Sequence, residues 1–130
     1  LEVTIERTKF LARVSNNKKI FLVGSNGKLI KNNYLNNQLP FIFGKPTTQD
    51  FFKFKKIIDE SKFSYNEIKN LYFFPSRRWD LEFKNNILIK LPNNSNKVSM
   101  NLIFEFLHDD NFKDIKIIDA RIKNQIILND

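Results

Sequence analysis

The chain has 130 residues, the size of one domain or of one domain with a fragment of a neighbour. Hydrophobic residues make up 42% and include 14 Phe, while only 3 Gly and 4 Pro occur, so a packed core is expected and a fibrous or disordered chain is excluded. The absence of Cys excludes a disulfide framework, a zinc site built on Cys and a thiol nucleophile.

The net charge of +8 comes mostly from Lys. Such an excess can indicate contact with nucleic acid or anionic lipid. Lys and Asn are abundant and evenly spread, and no long cationic block occurs, which favours a solvated basic surface. A basic nucleic-acid-binding module is the alternative function that the charge leaves open.

Residues 1–6 alternate apolar and polar side chains and predict a β-strand. The chain starts on Leu1 rather than Met and is already in strand alternation, which indicates a piece of a longer protein. It contains no signal peptide and no run of 18 apolar residues, but missing targeting segments carry no conclusion in such a piece.

Short strands joined by tight turns are expected next. Apolar residues at positions 10, 12 and 14 predict extended structure, Asn16-Asn17 predicts a turn, and residues 19–23 predict a second strand. The Ser25-Asn26-Gly27 turn signal precedes a partner strand at about residues 28–30. Residues 39–46 are apolar but interrupted by Pro and Gly, which is typical of a buried connection or an edge segment.

Two segments have the spacing of amphipathic helices. Thr47 or Thr48 can cap the first, which runs to about Ser61. Residues 94–96 cap the second, which runs to about His108. The residues predicted to face inward are Phe51, Phe54 and Ile58, flanked by Phe52 and Ile57, in the first helix, and Val98, Leu102, Ile103, Phe106 and Leu107 in the second.

Between the helices, residues 71–74 favour a strand, and a hairpin follows whose register can be derived. A two-residue loop would set Glu82 against Ile89, whereas a three-residue loop at residues 84–86 pairs apolar with apolar side chains. The resulting pairs are Phe83 with Ile87, Leu81 with Ile89 and Trp79 with Leu91. Asn86 then takes the loop position at positive φ, which Asn tolerates best among non-glycine residues.

Residues 115–122 and 125–128 predict a final hairpin around Lys123-Asn124. Two helices among many antiparallel strands predict an α+β fold with a mostly antiparallel sheet. The last strand is expected to be a sheet edge, whose free backbone groups can bind a partner strand unless an intramolecular strand covers them.

Signals for catalysis are few. His108 is the single histidine, and its place at a helix end favours a surface or capping role. No metal-ligand spacing, Gly-rich phosphate loop or nucleophile elbow occurs. Arg77-Arg78-Trp79 could stack on nucleic acid, but Trp79 belongs to the apolar face of its strand. We therefore expect neither an enzyme nor a cofactor.

The hairpin sequence resembles a known family. Residues 78–92 are similar to the RWDL-x-LKNG-x-x-IKLP stretch of the bacterial cell-division protein FtsQ (DivIB), with Asn86 where the family usually has Gly. Residues 6–12 resemble its ER-x-P-x-A junction, with Lys9 for Pro, and residues 22–27 its LVD-x-x-G turn. Two further matches, LP-x-x-x-G at residues 39–44 and V-D-L-R at residues 118–121, follow in the same order.

The resemblance implies a non-enzymatic divisome scaffold that is anchored in the inner membrane by one transmembrane helix. It implies that residues 1–8 end a POTRA domain and that residues 9–130 form the periplasmic β domain, which acts at the division septum. The family's partners are FtsB and FtsL, and FtsB adds a strand to the last strand of this domain, while arginines contact its carboxylates. No metal, cofactor, small-molecule substrate or nucleic acid is implied.

The resemblance also places the partner contacts in this chain. Arg121 matches the arginine of the V-D-L-R strand, and Arg77 matches a second partner-contacting arginine, although the Arg77-Arg78 pair allows a shift by one. The remaining partner-facing positions are Ile122, Asn124, Gln125, Ile126 and Leu128. An ion pair of Arg121 with Asp119 or Glu82 inside the chain is the competing interpretation.

Overall fold

The computed structural model describes residues 9–31, 38–112, 114–121 and 127–129. Within these ranges the chain forms one nine-stranded sheet with two α-helices and two short 3₁₀ turns. The elements are β1 (Phe10–Asn16), β2 (Lys19–Gly24), β3 (Leu29–Lys31), β4 (Phe41–Phe43), α1 (Thr48–Glu60), a 3₁₀ turn (Tyr65–Glu67), β5 (Ile68–Phe73), β6 (Trp79–Phe83), β7 (Leu88–Lys90), α2 (Lys97–Leu107), a 3₁₀ turn (Asp110–Phe112), β8 (Ile117–Asp119) and β9 (Ile127–Asn129). The order across the sheet is β3-β2-β1-β4-β5-β6-β7-β8-β9.

The sheet is mixed but mostly antiparallel. Five neighbouring pairs run antiparallel, and three run parallel: β1 with β4, β4 with β5, and β7 with β8. The α+β fold predicted from the sequence is therefore confirmed.

The two helices lie on one face of the sheet because each is the crossover of a βαβ unit. Helix α1 joins parallel strands β4 and β5, and α2 joins parallel strands β7 and β8. Both units step in the same direction across the sheet, and right-handed crossovers of that kind put their helices on the same side. The helices touch each other there, and just after α1 the Lys62 N–H donates to the side-chain oxygen of Asn101 in α2 at 2.8 Å.

The core lies between the helices and one row of strand residues. Leu71, Leu81, Ile89 and Ile118 are directly paired neighbours across β5 to β8, and none is more than 1% exposed. From α1, the Phe54 ring stacks on Trp79 with centroids 4.7 Å apart. Burial of such large side chains contributes about 1.5–3 kcal/mol each relative to exposure, so this row and the side chains packed on it stabilise the fold.

Helix α1 forms as the sequence predicts. Thr47 is its N-cap: its side-chain oxygen accepts from the Asp50 N–H at 3.0 Å, while its own N–H donates to Asp50 Oδ2 at 3.1 Å. This reciprocal capping box satisfies two donors that a helix start leaves free. The predicted inner residues Phe51, Phe54 and Ile58 are all buried.

Helix α2 begins and ends as predicted, but its inner stripe differs. Asn96 is its N-cap, and His108 follows its last residue. Val98 and Leu102 are 74% and 54% exposed, so their predicted inward orientation is wrong. Ile103 is buried as predicted, and Met100 is buried in place of Val98 and Leu102, because the helix is rotated to place Met100 and Ile103 on the sheet.

The predicted hairpin register is confirmed. Leu81 lies opposite Ile89, and the Phe83 N–H donates to the Ile87 carbonyl oxygen at 2.9 Å, which closes a three-residue loop. Asn86 has a φ of 70°, the positive value expected for its loop position. Its N–H donates to the Phe83 carbonyl oxygen at 2.8 Å.

Two expectations in the first third of the chain need correction. The first turn lies at Asn17-Lys18, both at positive φ, rather than at Asn16-Asn17, because Asn16 still pairs with Lys19 as the end of β1. The apolar segment after residue 39 is an interior strand rather than an edge, since β4 lies between β1 and β5. Its Pro40 precedes the strand and needs no outward N–H, and the Pro40 carbonyl oxygen accepts from the Arg13 N–H.

Strand β8 is shorter than predicted, because residues 115, 116, 120 and 121 lie outside its three-residue ladder. Strand β9 is described over Ile127–Asn129, and the predicted strand residues 122, 125 and 126 lie outside the described residues. The predicted turn at Lys123-Asn124 and the predicted strand at residues 1–6 lie outside the described residues.

Candidate partner-binding site

Strand β9 is one edge of the sheet in the described part of the chain, as predicted. The Ala120 N–H donates to the Lys90 carbonyl oxygen, and the Leu88 N–H to that of Lys116, so even-numbered residues of β8 bond to β7. In a strand with two neighbours, the odd-numbered residues, such as Asp119, then bond to the other one. Asp119 is opposite Ile127, so Ile127 is bonded to β8 and the backbone groups of Leu128 point away from it.

The side chain and the backbone of Leu128 therefore face different surroundings. Its side chain is half-buried and packs on the core, while its N–H and carbonyl group face outward from the sheet edge. Ile127 is 43% exposed on the opposite face of the strand. An extended partner segment would meet free backbone groups at Leu128 and an apolar side chain at Ile127.

Arg121 follows β8 at the same edge and is held by Asp119. Arg121 Nε donates to Asp119 Oδ1 at 2.9 Å and Nη2 to Oδ2 at 2.6 Å, and the Arg121 backbone N–H also donates to Oδ1. These bonds keep the pKa of Asp119 below its ordinary value and raise that of Arg121. The intramolecular pair with Asp119 is thus present, whereas Glu82 instead accepts from Asn70 and Tyr72.

The pair with Asp119 leaves part of the Arg121 guanidinium available. A guanidinium carries five N–H donors, and Asp119 engages Nε and Nη2. The side chain is 46% exposed, so solvent or a partner reaches the remaining donors. Asp119 orients the guanidinium and does not cover it.

Arg77 lies in the turn between β5 and β6, with a φ of 67° and a side chain 72% exposed. Its Nη2 donates to Asp50 Oδ1 at 2.8 Å, the same carboxylate that caps α1. This bond is the largest of the causes that keep the pKa of Asp50 below its ordinary value, followed by the bonds from Thr47. The other donors of Arg77 are free to meet solvent or a partner.

The neighbouring Arg78 has a different environment. Its guanidinium lies 4.4 Å from the centre of the Phe74 ring, and Nη1 donates to Asp80 and to the Leu91 carbonyl oxygen. Side-chain exposure is 15% for Arg78 and 7% for Asp80. Burial raises the pKa of Asp80 despite the opposing effect of Arg78. Of the two arginines that the resemblance left interchangeable, Arg77 is therefore the accessible one.

The structure brings Arg77 and Arg121 to the same end of the sheet. Strands β5 and β8 run in the same direction, and the two arginines lie in the segments that follow these strands. Arg77 leads into β6, two strand positions from β8, which corresponds to a lateral separation of roughly 10 Å. Ile122, Asn124, Gln125 and Ile126, the other predicted contact residues, lie outside the described residues.

Near this end of the sheet, three charged side chains form a row across neighbouring strands. Asp80, Lys90 and Asp119 are directly paired neighbours on β6, β7 and β8, on the face opposite the helices. Alternating signs across such a row are favourable, and the row holds Asp119 where it meets Arg121. This ladder was not predicted from the sequence, although the i, i+2 alternation around each of the three residues indicates that they share one face.

Other chemistry is sparse. The His108 ring stacks on Phe104 with centroids 3.9 Å apart, and its Nδ1 lies 2.9 Å from the Phe104 carbonyl oxygen, which confirms the capping role. Trp79 is 7% exposed beneath Phe54 and is not available to stack on a base. Among the described residues, no group of three or more His, Cys, Asp or Glu side chains could hold a metal ion. No helix in the same ranges has the length and apolar character to cross a membrane.

In the described part of the chain, these features define an α+β domain with an open strand edge and two exposed arginines at one end of its sheet, an arrangement found in interaction domains. The family model "Cell division protein FtsQ/DivIB, C-terminal" matches residues 12–121, most of the chain. The chain therefore belongs to the FtsQ/DivIB family of cell division proteins, a family of non-enzymatic division scaffolds.

Comparison with solved structures gives a similar neighbour. The major extracytoplasmic domain of the trans isomer of the cell division protein DivIB from Geobacillus stearothermophilus is 13% identical, with a TM-score of 0.49. The similarity covers 64% of this chain and 76% of that one. No curated protein matches the chain.

Proposed function

We propose that this domain is a divisome scaffold that binds the FtsB–FtsL pair through its C-terminal edge strand. In this proposal residues 9–130 form the β domain and residues 1–8 end a POTRA domain. The domain faces the periplasm at the septum, and a transmembrane segment outside this sequence anchors it in the inner membrane. Family membership supports the role in division, and the start of the family match at residue 12 agrees with the proposed boundary.

The observation that carries the proposal is the outward-facing backbone of Leu128. An added strand gains main-chain hydrogen bonds at this edge, and these supply affinity with little dependence on the partner's sequence. Arg121 and Arg77 would then read acidic side chains of the incoming FtsB segment. Arginine suits this task because its planar fork pairs with carboxylates in a fixed geometry.

Asp119 and Asp50 give the two arginines a defined starting geometry. Each aspartate holds one side of its guanidinium, so an incoming carboxylate can bind the opposite side without displacing it. Less side-chain entropy is then lost on binding, because the arginines are already ordered. The remaining proposed contacts, Ile122, Asn124, Gln125 and Ile126, precede Leu128 along the chain.

The test is co-elution of the domain with the segment of the cognate FtsB that follows its coiled coil. We expect a complex with the unaltered domain. Ile126→Pro and Leu128→Pro should each abolish it, because proline removes an N–H from the edge, while edge strands accept proline without losing their fold. Leu128→Ala is the matched control: it keeps the N–H, so it should lower the thermal stability of the domain but retain the complex.

The proposal fails if either proline variant is folded by circular dichroism and still binds FtsB with unchanged affinity. A nucleic-acid-binding module is the alternative function. It would show instead as tight binding of DNA or RNA with a steep dependence on salt.

A further inference from the structure

Lys and Arg are spread along the whole chain, but Asp and Glu are not, so the net positive charge is confined to one segment. Residues 7–49, here called the acid-free segment, contain eight Lys and Arg residues and no Asp or Glu, which equals the whole net charge of +8. The eight are Arg7, Lys9, Arg13, Lys18, Lys19, Lys28, Lys31 and Lys45. The rest of the chain is electrically balanced.

The structure gives these cations no carboxylate partners within the described ranges. Every ion pair found there joins residues from Asp50 onward. Arg13 instead donates through Nε to the Leu39 carbonyl oxygen and lies over the Phe41 ring. Strands β1 to β4 therefore form a wholly basic portion of the sheet.

Strand β3 is the outer edge of this basic portion. Among the described residues its one neighbour is β2. The Gly24 N–H donates to the Lys28 carbonyl oxygen at 2.9 Å, which marks a hydrogen-bonded pair. Because bonded and non-bonded pairs alternate along an antiparallel ladder, Ile30 is bonded to Leu22. The backbone groups of Leu29 and Lys31 then point outward.

The side chains beside this edge are apolar on both faces of the sheet. Leu29 is 47% exposed on the helix side, and Ile30 is 42% exposed on the opposite side. Next to Leu29 lies an open groove of about 320 Å³. Its apolar lining includes Val14, Val23, Leu29, Ile42 and Phe51.

We propose that β3 is a second docking edge of this domain and takes an acidic, extended segment of another protein as an added strand. Backbone bonds to Leu29 and Lys31 would hold the segment, the groove would take an apolar side chain, and the surrounding lysines would select acidic flanks. This is strand addition at the opposite end of the sheet from β9.

Charge complementarity decides between the possible occupants. A second copy of the chain through the same edge would bring two acid-free segments together, which like charges oppose. A lipid surface satisfies the lysines but offers no peptide groups to the outward backbone of Leu29. Lysines alone can serve to protect a sheet edge from aggregation, yet a protected edge does not expose Leu and Ile beside them.

A synthetic peptide tests the proposal: seven residues of alternating Glu and Val with blocked ends, compared with the same peptide carrying Lys for Glu. We expect the Glu peptide to bind at least roughly tenfold more tightly than the Lys peptide at low salt, with the difference shrinking in 0.5 M NaCl. Amide hydrogen exchange should slow at Leu29 and Lys31, the two residues whose N–H groups become bonded.

Two variants of one residue separate the backbone from the side chain. Leu29→Pro removes an outward N–H and should weaken binding of the Glu peptide by more than roughly tenfold, whereas Leu29→Ala keeps it and should cost less. Both should remain folded by circular dichroism and bind the FtsB segment as the unaltered domain does. The FtsB experiment and this one can thus fail independently.

Several results would overturn the inference. They are equal binding of the Lys and Glu peptides, unchanged binding by Leu29→Pro, and exchange protection elsewhere than β3. Binding confined to vesicles of anionic lipid or to single-stranded nucleic acid would assign the lysines to those partners, and concentration-dependent self-association would assign the edge to a second copy.

Discussion

The two portions of the sheet manage charge in opposite ways. Strands β5 to β9 neutralise their charges locally: Arg78 meets Asp80, Lys90 lies between Asp80 and Asp119, and Arg121 meets Asp119. Strands β1 to β4 carry only cations, with no ion pair among the described residues. Ion pairs within the chain therefore order the charged side chains of β5 to β9, whereas the cations of β1 to β4 can interact with solvent or a partner.

The comparison shows that basic composition alone locates no site. The arginines proposed to contact FtsB lie in the balanced portion, where each already has an aspartate. The unpaired lysines lie at the opposite edge. A local shortage of carboxylates and an edge with free backbone groups together carry more information than the net charge.

The largest expected effect tests whether the ion pair of Arg78 is structural. Arg78→Ala leaves Asp80 buried without its partner and should lower the free energy of unfolding by about 3 kcal/mol. Arg77→Ala is the matched control at the adjacent residue, and loss of its exposed pair should cost under about 1 kcal/mol. Urea unfolding measures both, and equal losses would contradict the distinction between a structural and an accessible arginine.

The next effect tests the junction between the two portions, where β4 meets β5. Gly44 has a φ of 96°, and a Cβ there would lie 2.2 Å from the Phe73 carbonyl oxygen. Gly44→Ala should therefore cost about 2 kcal/mol or more, through backbone strain and displacement of β5. Gly27 also has a positive φ, but a Cβ there would lie 3.2 Å from the Thr48 methyl group, which is a milder contact. Gly27→Ala should therefore lower the free energy of unfolding by about 1 kcal/mol.

Thermal unfolding of both glycine variants, followed by Trp79 fluorescence and by circular dichroism, shows whether the portions separate. Coincident transitions mean one cooperative unit across the junction. A cost for Gly27→Ala as large as that for Gly44→Ala would mean that the turn, rather than the junction, limits stability.

The smallest effect is expected from substitutions that reverse one charge in each portion of the sheet. Lys90→Glu would place like charges beside Asp80 and Asp119 and should cost about 1 kcal/mol. Lys19→Glu adds an anion among unpaired lysines and should raise the free energy of unfolding by a few tenths of a kcal/mol. Urea unfolding at low salt measures the difference. The contrast is lost if both variants change stability in the same direction.

Local patterns predicted the fold well where one face of an element is apolar. The three-residue loop after Phe83 followed from pairing apolar with apolar side chains, and the start of α1 followed from the capping residues Thr47 and Thr48, of which the structure selects Thr47. The inner face of α2 could not be read in this way, because Val98 and Leu102 are as apolar as Met100. Only packing on the sheet decides which of them is covered.

The position of β4 was also beyond local pattern. Its Pro and Gly neighbours are typical of an edge, and its interior place depends on parallel pairing with β1 and β5, which are distant in sequence. For the candidate site, the resemblance supplied Arg77 and Arg121, but their aspartate partners required coordinates to distinguish Asp119 from Glu82. The outward backbone of Leu128 likewise follows from the ladder and not from side-chain type.

Arg77 occupies a backbone conformation that its residue type disfavours. At a φ of 67°, a non-glycine residue costs about 1 kcal/mol or more relative to glycine. Glycine at this position would remove the backbone strain. The exposed ion pair of Arg77 with Asp50 stabilises the fold by at most a similar free energy, so it does no more than offset that strain. Selection for stability alone would thus favour neither arginine nor glycine at this position. If related chains keep arginine at this turn, the reason would be a contact with another molecule.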